Sequence, residues 1–185
     1  MPTPYIVDAN YRFIAAYQEV NTRISQRQQA LSLYATLVLS LLAALVALKS
    51  SNGDSVPVEW LLPGFPAASL CLAFLNYKGE RAITNLRRFL AALEQLNNAP
   101  EYLPSYNTHP IWSAGANKAR QFHDLTAVLL VSAGNGIGLG AAVHIYPDRV
   151  AAAPLAIWGS IVMAIVSIII LLLIPRWRYV PQEVL

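Results

Sequence analysis

Four stretches of the chain are apolar and free of charged residues: Leu31–Leu48, Trp60–Tyr77, Leu125–Tyr146 and Val150–Ile174. About 20 apolar residues are needed for a helix to cross the hydrocarbon core of a bilayer. The first two stretches are just long enough, and the fourth is long enough to tilt. Pro63, Gly64 and Pro66 fall near the start of the second stretch and predict a late or bent helix entry there, because proline is tolerated best in a first turn. The pattern predicts an all-α integral membrane protein built as a four-helix bundle.

Outside the apolar stretches the periodicity changes without breaking. Phe13, Tyr17, Val20 and Ile24 recur at helical steps ahead of the first stretch, with Arg12, Gln18, Glu19, Arg23 and Gln26 on other faces. No glycine or proline interrupts Ala9 to Leu48, which predicts one helix of about 40 residues, roughly 60 Å long. Ile83, Leu86, Leu90 and Leu93 repeat the pattern after the second stretch, and Asn97-Asn98-Ala99-Pro100 marks its end. Gly79 is the weak point of that continuation. The first two spanning helices are therefore expected to extend into a cytoplasmic helical hairpin; stripes lying flat on the membrane surface are the alternative.

This organises the chain as 1–98 (amphipathic helix, two spans and a returning helix), 99–124 (a cytoplasmic connector) and 125–185 (the third and fourth spans with a tail). Residues 99–115 carry three prolines, two tyrosines and a tryptophan, and are expected to form a loop, folded on the hairpin or docking a partner.

Lipid tails already satisfy apolar side chains, so close helix packing in a bilayer uses small residues. Such residues recur at every fourth position in three spans: Ser32, Thr36, Ser40 and Ala44; Ser132, Gly136 and Gly140, with Gly134 and Gly138 on a neighbouring row; and Ala156, Ser160 and Ala164. Ser132, Asn135, Gly136 and Gly140 are the candidates for helix packing or for lining a pathway. Asn135 either bonds across helices or faces a solute path, since a polar group in hydrocarbon normally faces protein or water.

Charge then sets an orientation. Lys plus Arg is 13 against 10 acids. Eleven of the 13 basic residues fall in the N-terminal segment, the middle connection and the tail, while the short connections hold only Lys49 and Arg149. By the positive-inside rule both termini and the long middle loop are expected in the cytoplasm. Trp60 and Tyr146 would anchor the outer interface, with Tyr77 and Trp177 at the inner one. This bias accounts for the basic balance, so no direct nucleic-acid partner is expected. Arg81, Arg87, Arg88, Tyr102 and Trp112 are candidate contacts for a soluble cytoplasmic protein.

Chemistry is sparse. His109, His123 and His144 pair with no cysteine or carboxylate at ligand spacing. His123-Asp124 reads as a polar boundary before the third span. Cys71 is the single cysteine and sits in an apolar stretch, as a small filler. The glycines of 134–140 match a dinucleotide loop only loosely and stand in the wrong context. No carboxylate lies within a span. The expectation is a non-enzyme without metal or cofactor.

The segment Arg23-Ile-Ser-Gln-Arg-Gln-Gln-Ala-Leu-Ser-Leu-Tyr, the short hairpin, and Gly79-Glu-Arg-Ala-Ile-Thr-Asn-Leu-Arg-Arg-Phe-Leu together resemble the SLATT-type two-span effectors of bacterial conflict systems, over roughly residues 10–98. With two further spans, the chain looks more like the small four-span membrane components of phage-defence operons, such as that of Kiwa. The resemblance implies a homo-oligomer that forms or gates a membrane pathway or perturbs the membrane. It leaves as alternatives a non-conducting sensor or scaffold that recruits a soluble effector, and a membrane immunity protein. It carries over no catalytic residue.

Overall fold

The computed structural model describes residues 8–50, 58–96 and 105–181. Tyr102 and the 98/99 boundary lie outside them. All regular structure among the described residues is helical: α1 (Ala9–Ser50), a 3-10 turn at Val58–Trp60, α2 (Gly64–Glu94), α3 (Pro110–Ile145), α4 (Pro147–Ala152), α5 (Pro154–Leu173) and a closing 3-10 turn at Ile174–Trp177. Among the described residues, four helices are long and apolar enough to cross a membrane.

Local chemistry explains the boundaries. α1 runs its 42 residues unbroken, about 63 Å. α2 starts late, at Gly64: Pro63 caps it and Pro66 falls in the first turn, where no N–H is missed. α3 differs from expectation. The connector expected over 99–124 is helical from Pro110 onward, so the third helix begins 15 residues ahead of its apolar stretch. His109 is extended, the geometry that a following proline favours, and Pro110 opens the helix with its φ already set. Gly115, which looks like a loop residue, sits on open helix surface. The stretch 150–174 is also not one helix. Tyr146 and Ala153 each precede a proline and each leave helical geometry, which separates α4 from α5.

The four long helices alternate in direction, and α2 packs on α1, α3 and α5. The main core joins Tyr34, Val38 and Leu45 of α1, Phe65, Leu72 and Ala73 of α2, Val131 and Ala142 of α3, and Leu171 with Ile174 at the end of the chain's last helical run. A second, small cluster of Ala16, Val20 and Leu90, with Phe13 and Leu86 against it, joins the extensions of α1 and α2. Tyr17 and Ile24 of the same stripe remain exposed.

Two glycines of α3 set how closely the helices approach. A Cβ on Gly134 would lie 2.7 Å from the Tyr34 hydroxyl, and one on Gly138 would lie 2.5 Å from the Phe65 ring. Side chains there would force the helices apart. Gly136 and Gly140 meet nothing within 4 Å. On α5, Ser160, Ala164 and Ser167 face the bundle, while Ser32, Thr36 and Ser40 of α1 face outward.

Candidate functional site at the basic end of the bundle

Where the apolar sections of α1, α2 and α3 give way to their polar extensions, seven charged side chains gather, four of them (Arg27, Glu80, Arg87 and Asp124) buried. Arg27 of α1 is 4% exposed. Its Nε donates to Asn76 Oδ1 at 3.1 Å, its Nη1 to Glu80 Oε2 at 2.7 Å, and its Nη2 to Asp124 Oδ1. Glu80, wholly buried, also accepts from Arg120 Nη1 at 2.9 Å. Asp124 also accepts from Arg178, whose Nη1 donates to the Asn117 carbonyl at 3.0 Å. One carboxylate from α2 and one from α3 are thus each bridged by two arginines, and Arg27 belongs to both bridges. Gly79 makes room: a Cβ there would meet the Arg27 stem at 3.0 Å.

Arg87 completes the layer. It is buried, and its guanidinium donates to Asn107, Asn117 and Ser113, while its carbon end lies 5.4 Å from the Tyr179 ring centre. Glu94 accepts from the Asn107 backbone and side-chain amides at 2.9 and 2.7 Å. The tail is stitched on by Thr84 donating to the Trp177 carbonyl, Asn117 donating to the Tyr179 carbonyl, and Tyr77 meeting Trp177 edge-on at 5.0 Å. Four arginines (27, 87, 120, 178) face three carboxylates (80, 94, 124), which leaves the layer one positive charge in excess.

Burial pushes the Arg120 guanidinium down to about 10, partly offset by Glu80 and reinforced by Arg87, Arg178 and Arg27. Burial likewise lowers Arg87. His123 is held below its ordinary value by burial first and by Arg27 next, so it is neutral at pH 7. Its Nε2 is buried without a hydrogen-bond partner among the described residues. Beside this layer a cavity of about 520 Å3 opens between the extensions of α1, α2 and α3. No group of three or more metal-ligating side chains occurs among the described residues.

About two to three helical turns from the charged layer, a small polar set closes the bundle. Asn135 Nδ2 donates to Ser69 Oγ at 2.7 Å and to the Val131 carbonyl at 2.8 Å, and Ser69 shares a 3.1 Å bond with Tyr34. Asn135 is thus a buried interhelical link, the first of the two roles open to it in the sequence.

The other candidates separate. Ser132, Gly136 and Gly140 are exposed on one face of α3, and a Cβ on either glycine would meet nothing within 4 Å among the described residues. Arg81, Arg88 and Trp112 are exposed. Arg87, chosen as a surface contact, is instead buried, because α3 begins early and covers it with Ser113 and Asn117. Trp60 is exposed, and Tyr146 donates to the Leu45 carbonyl at 2.9 Å. Arg27, Glu80, Arg120, Asp124 and Arg178 went unselected in the sequence. Their one signal was opposite charges at helical spacing just outside apolar stretches. Asp124, expected to be a polar boundary, is a buried ion-pair partner.

The chain matches no family model, no curated protein and no solved structure.

Proposed function

We propose that this chain is a self-associating protein of a bacterial inner membrane, with both termini and the charged layer on the cytoplasmic side, that acts in anti-phage defence as a sensor or scaffold for a soluble component. The observation that carries this reading is the buried ion-paired layer. It ties α1, α2, α3 and the tail at one level, so a force or ligand acting on the polar extensions reaches every spanning helix. Eleven of 13 basic residues on that side support the orientation. The exposed Arg81, Arg88, Ile111, Trp112 and Phe122 support a docking role for the extensions.

The open row of Ser132, Gly136 and Gly140 favours a second reading. Copies would meet along α3, and a membrane pathway would open between chains rather than through one, since Asn135, Ser69 and Tyr34 close the single bundle.

Topology, assembly and leakage test both readings. In a Cys71→Ser background, an impermeant maleimide should label Asp148→Cys in intact spheroplasts and Gln95→Cys only after lysis. The reverse would overturn the orientation. Gly136→Cys should cross-link between copies, and purely monomeric protein would overturn self-association. Liposomes holding the protein should stay tight to ions under the scaffold reading. Leakage abolished by Gly136→Leu would replace it with the pathway reading.

A further inference from the structure

The cavity beside the charged layer has two unlike halves. Phe13, Tyr17, Ile24 and Leu90 give it apolar lining, while Arg87, Arg120 and His123, with the Asn107-bonded carboxylate of Glu94, give it polar lining. Arg120 and His123 are three residues apart on α3 and so lie on one helix face. A guanidinium has five N–H donors. Arg120 commits one nitrogen to Glu80 and another to Asn117, which leaves donors over, and its side chain, 13% exposed, lines the cavity. His123 Nε2 lies buried with no partner. Such orphaned polar atoms are rare enough in folded proteins to call for a cause. With Arg120 itself included, the layer holds four arginines against three carboxylates, so one positive charge is uncompensated at this site. The volume, about 520 Å3, is that of a small-molecule pocket.

We propose that this cavity binds a small amphipathic monoanion, its carboxylate or phosphate-ester head on Arg120 and His123 and its apolar body along Phe13, Tyr17, Ile24 and Leu90. The head supplies the missing negative charge and, once the imidazole turns its buried Nε2 toward the cavity, accepts an N–H from His123, which burial and the Arg27 charge keep neutral. The apolar walls hold a ring or an alkyl chain out of water. A fatty-acid anion drawn from the bilayer and an aryl carboxylate from solution share this chemistry. The site goes beyond the proposed function and stands whether the protein conducts or only recruits.

The test uses the full chain in lipid nanodiscs with 15N-labelled histidine, the His123 signal being assigned by elimination with His109→Gln and His144→Gln. 2-Naphthoate is added from solution and oleate through the lipid, with 2-naphthol and oleyl alcohol as uncharged counterparts. The expected result is a saturable shift of the His123 Nε2 resonance with at least one carboxylate. Its affinity should be about tenfold or more above that of the matching alcohol, the size of one charge-assisted hydrogen bond. Ala119→Trp, which fills the cavity from an exposed position and leaves Arg120 and His123 in place, should abolish the shift. A response to oleate alone assigns a lipid source and to naphthoate alone a soluble one. No saturable shift with either, an equal response to the alcohols, or an undiminished response in Ala119→Trp overturns the proposal. The carboxylate-against-alcohol comparison needs no variant, so it decides even if Ala119→Trp misfolds.

Discussion

The apolar section and the basic end of this bundle join the same helices by opposite means. In the apolar section contact comes from shape: Gly134 and Gly138 leave room for Tyr34 and Phe65, and the few polar groups bond to one another or back onto their own helix, as Ser160 and Ser167 do. In the basic end contact comes from charge, with two buried carboxylates each shared by two arginines. Packing by shape degrades gradually, because a neighbour can shift. A buried ion pair fails abruptly, because removal of one partner strands the other charge, at a cost of about 3–5 kcal/mol, although the intact pair adds little over apolar packing.

The largest expected effect therefore lies at Arg27. Arg27→Met keeps the stem and leaves Glu80 and Asp124 each short of one partner. Reversible unfolding in mixed micelles should show a loss of about 3–5 kcal/mol. A loss under 1 kcal/mol would mean that water enters the layer and the contrast between the two regions is false.

The next effect tests shape. Gly138→Leu drives a side chain into Phe65 and should cost about 1–3 kcal/mol, whereas Gly136→Leu, two residues away on the open face, should leave the unfolding of the single bundle unchanged. Equal effects would show that the two rows are not distinct.

Ser69→Ala removes the oxygen that serves both Asn135 and Tyr34 and should cost about 1 kcal/mol, as interhelical bonds in apolar surroundings do. Circular dichroism at the unfolding midpoint is enough to detect it.

The smallest effect is one of pH. His123 faces Arg27, Asp124, Glu80 and Arg178, and its folded value lies below the unfolded value near 6.5. The unfolded chain thus binds the proton more readily, so stability is full above 6.5 and falls as the pH drops below it. His123→Gln should flatten that slope between pH 7 and 5.5. An unchanged slope would assign the pH dependence to another group.

Much of the fold was legible in the sequence, for one physical reason. Charge-free apolar stretches and the unbroken run from Ala9 follow from local composition alone. The early start of α3 was obscured because Pro110, Gly115 and Trp112 look like loop residues one at a time. Only the pairing of an extended His109 with Pro110 at the first helical position makes them a helix start. The site was harder to read because its ion pairs join residues 40, 53, 54 and 97 positions apart. Periodicity reports which face of a helix is apolar but not which charge meets which. The rows of α3 posed the same difficulty. Gly134 and Gly138 differ from Gly136 and Gly140 by one helical face, and only the neighbours Tyr34 and Phe65 decide which row is inside.

The charged layer also imposes a schedule on synthesis. Arg27 and Glu80 neutralise each other, so α1 and α2 can enter the bilayer of the proposed setting as a discharged pair. Asp124 is different, for its second partner, Arg178, is translated 54 residues later. At roughly 5–20 residues per second, that is a delay of about 3–11 s. In that proposed setting, α3 waits through the interval with a half-met carboxylate. The nascent protein therefore has a vulnerable age, in which an insertase or a protease meets three helices still missing their closing charge.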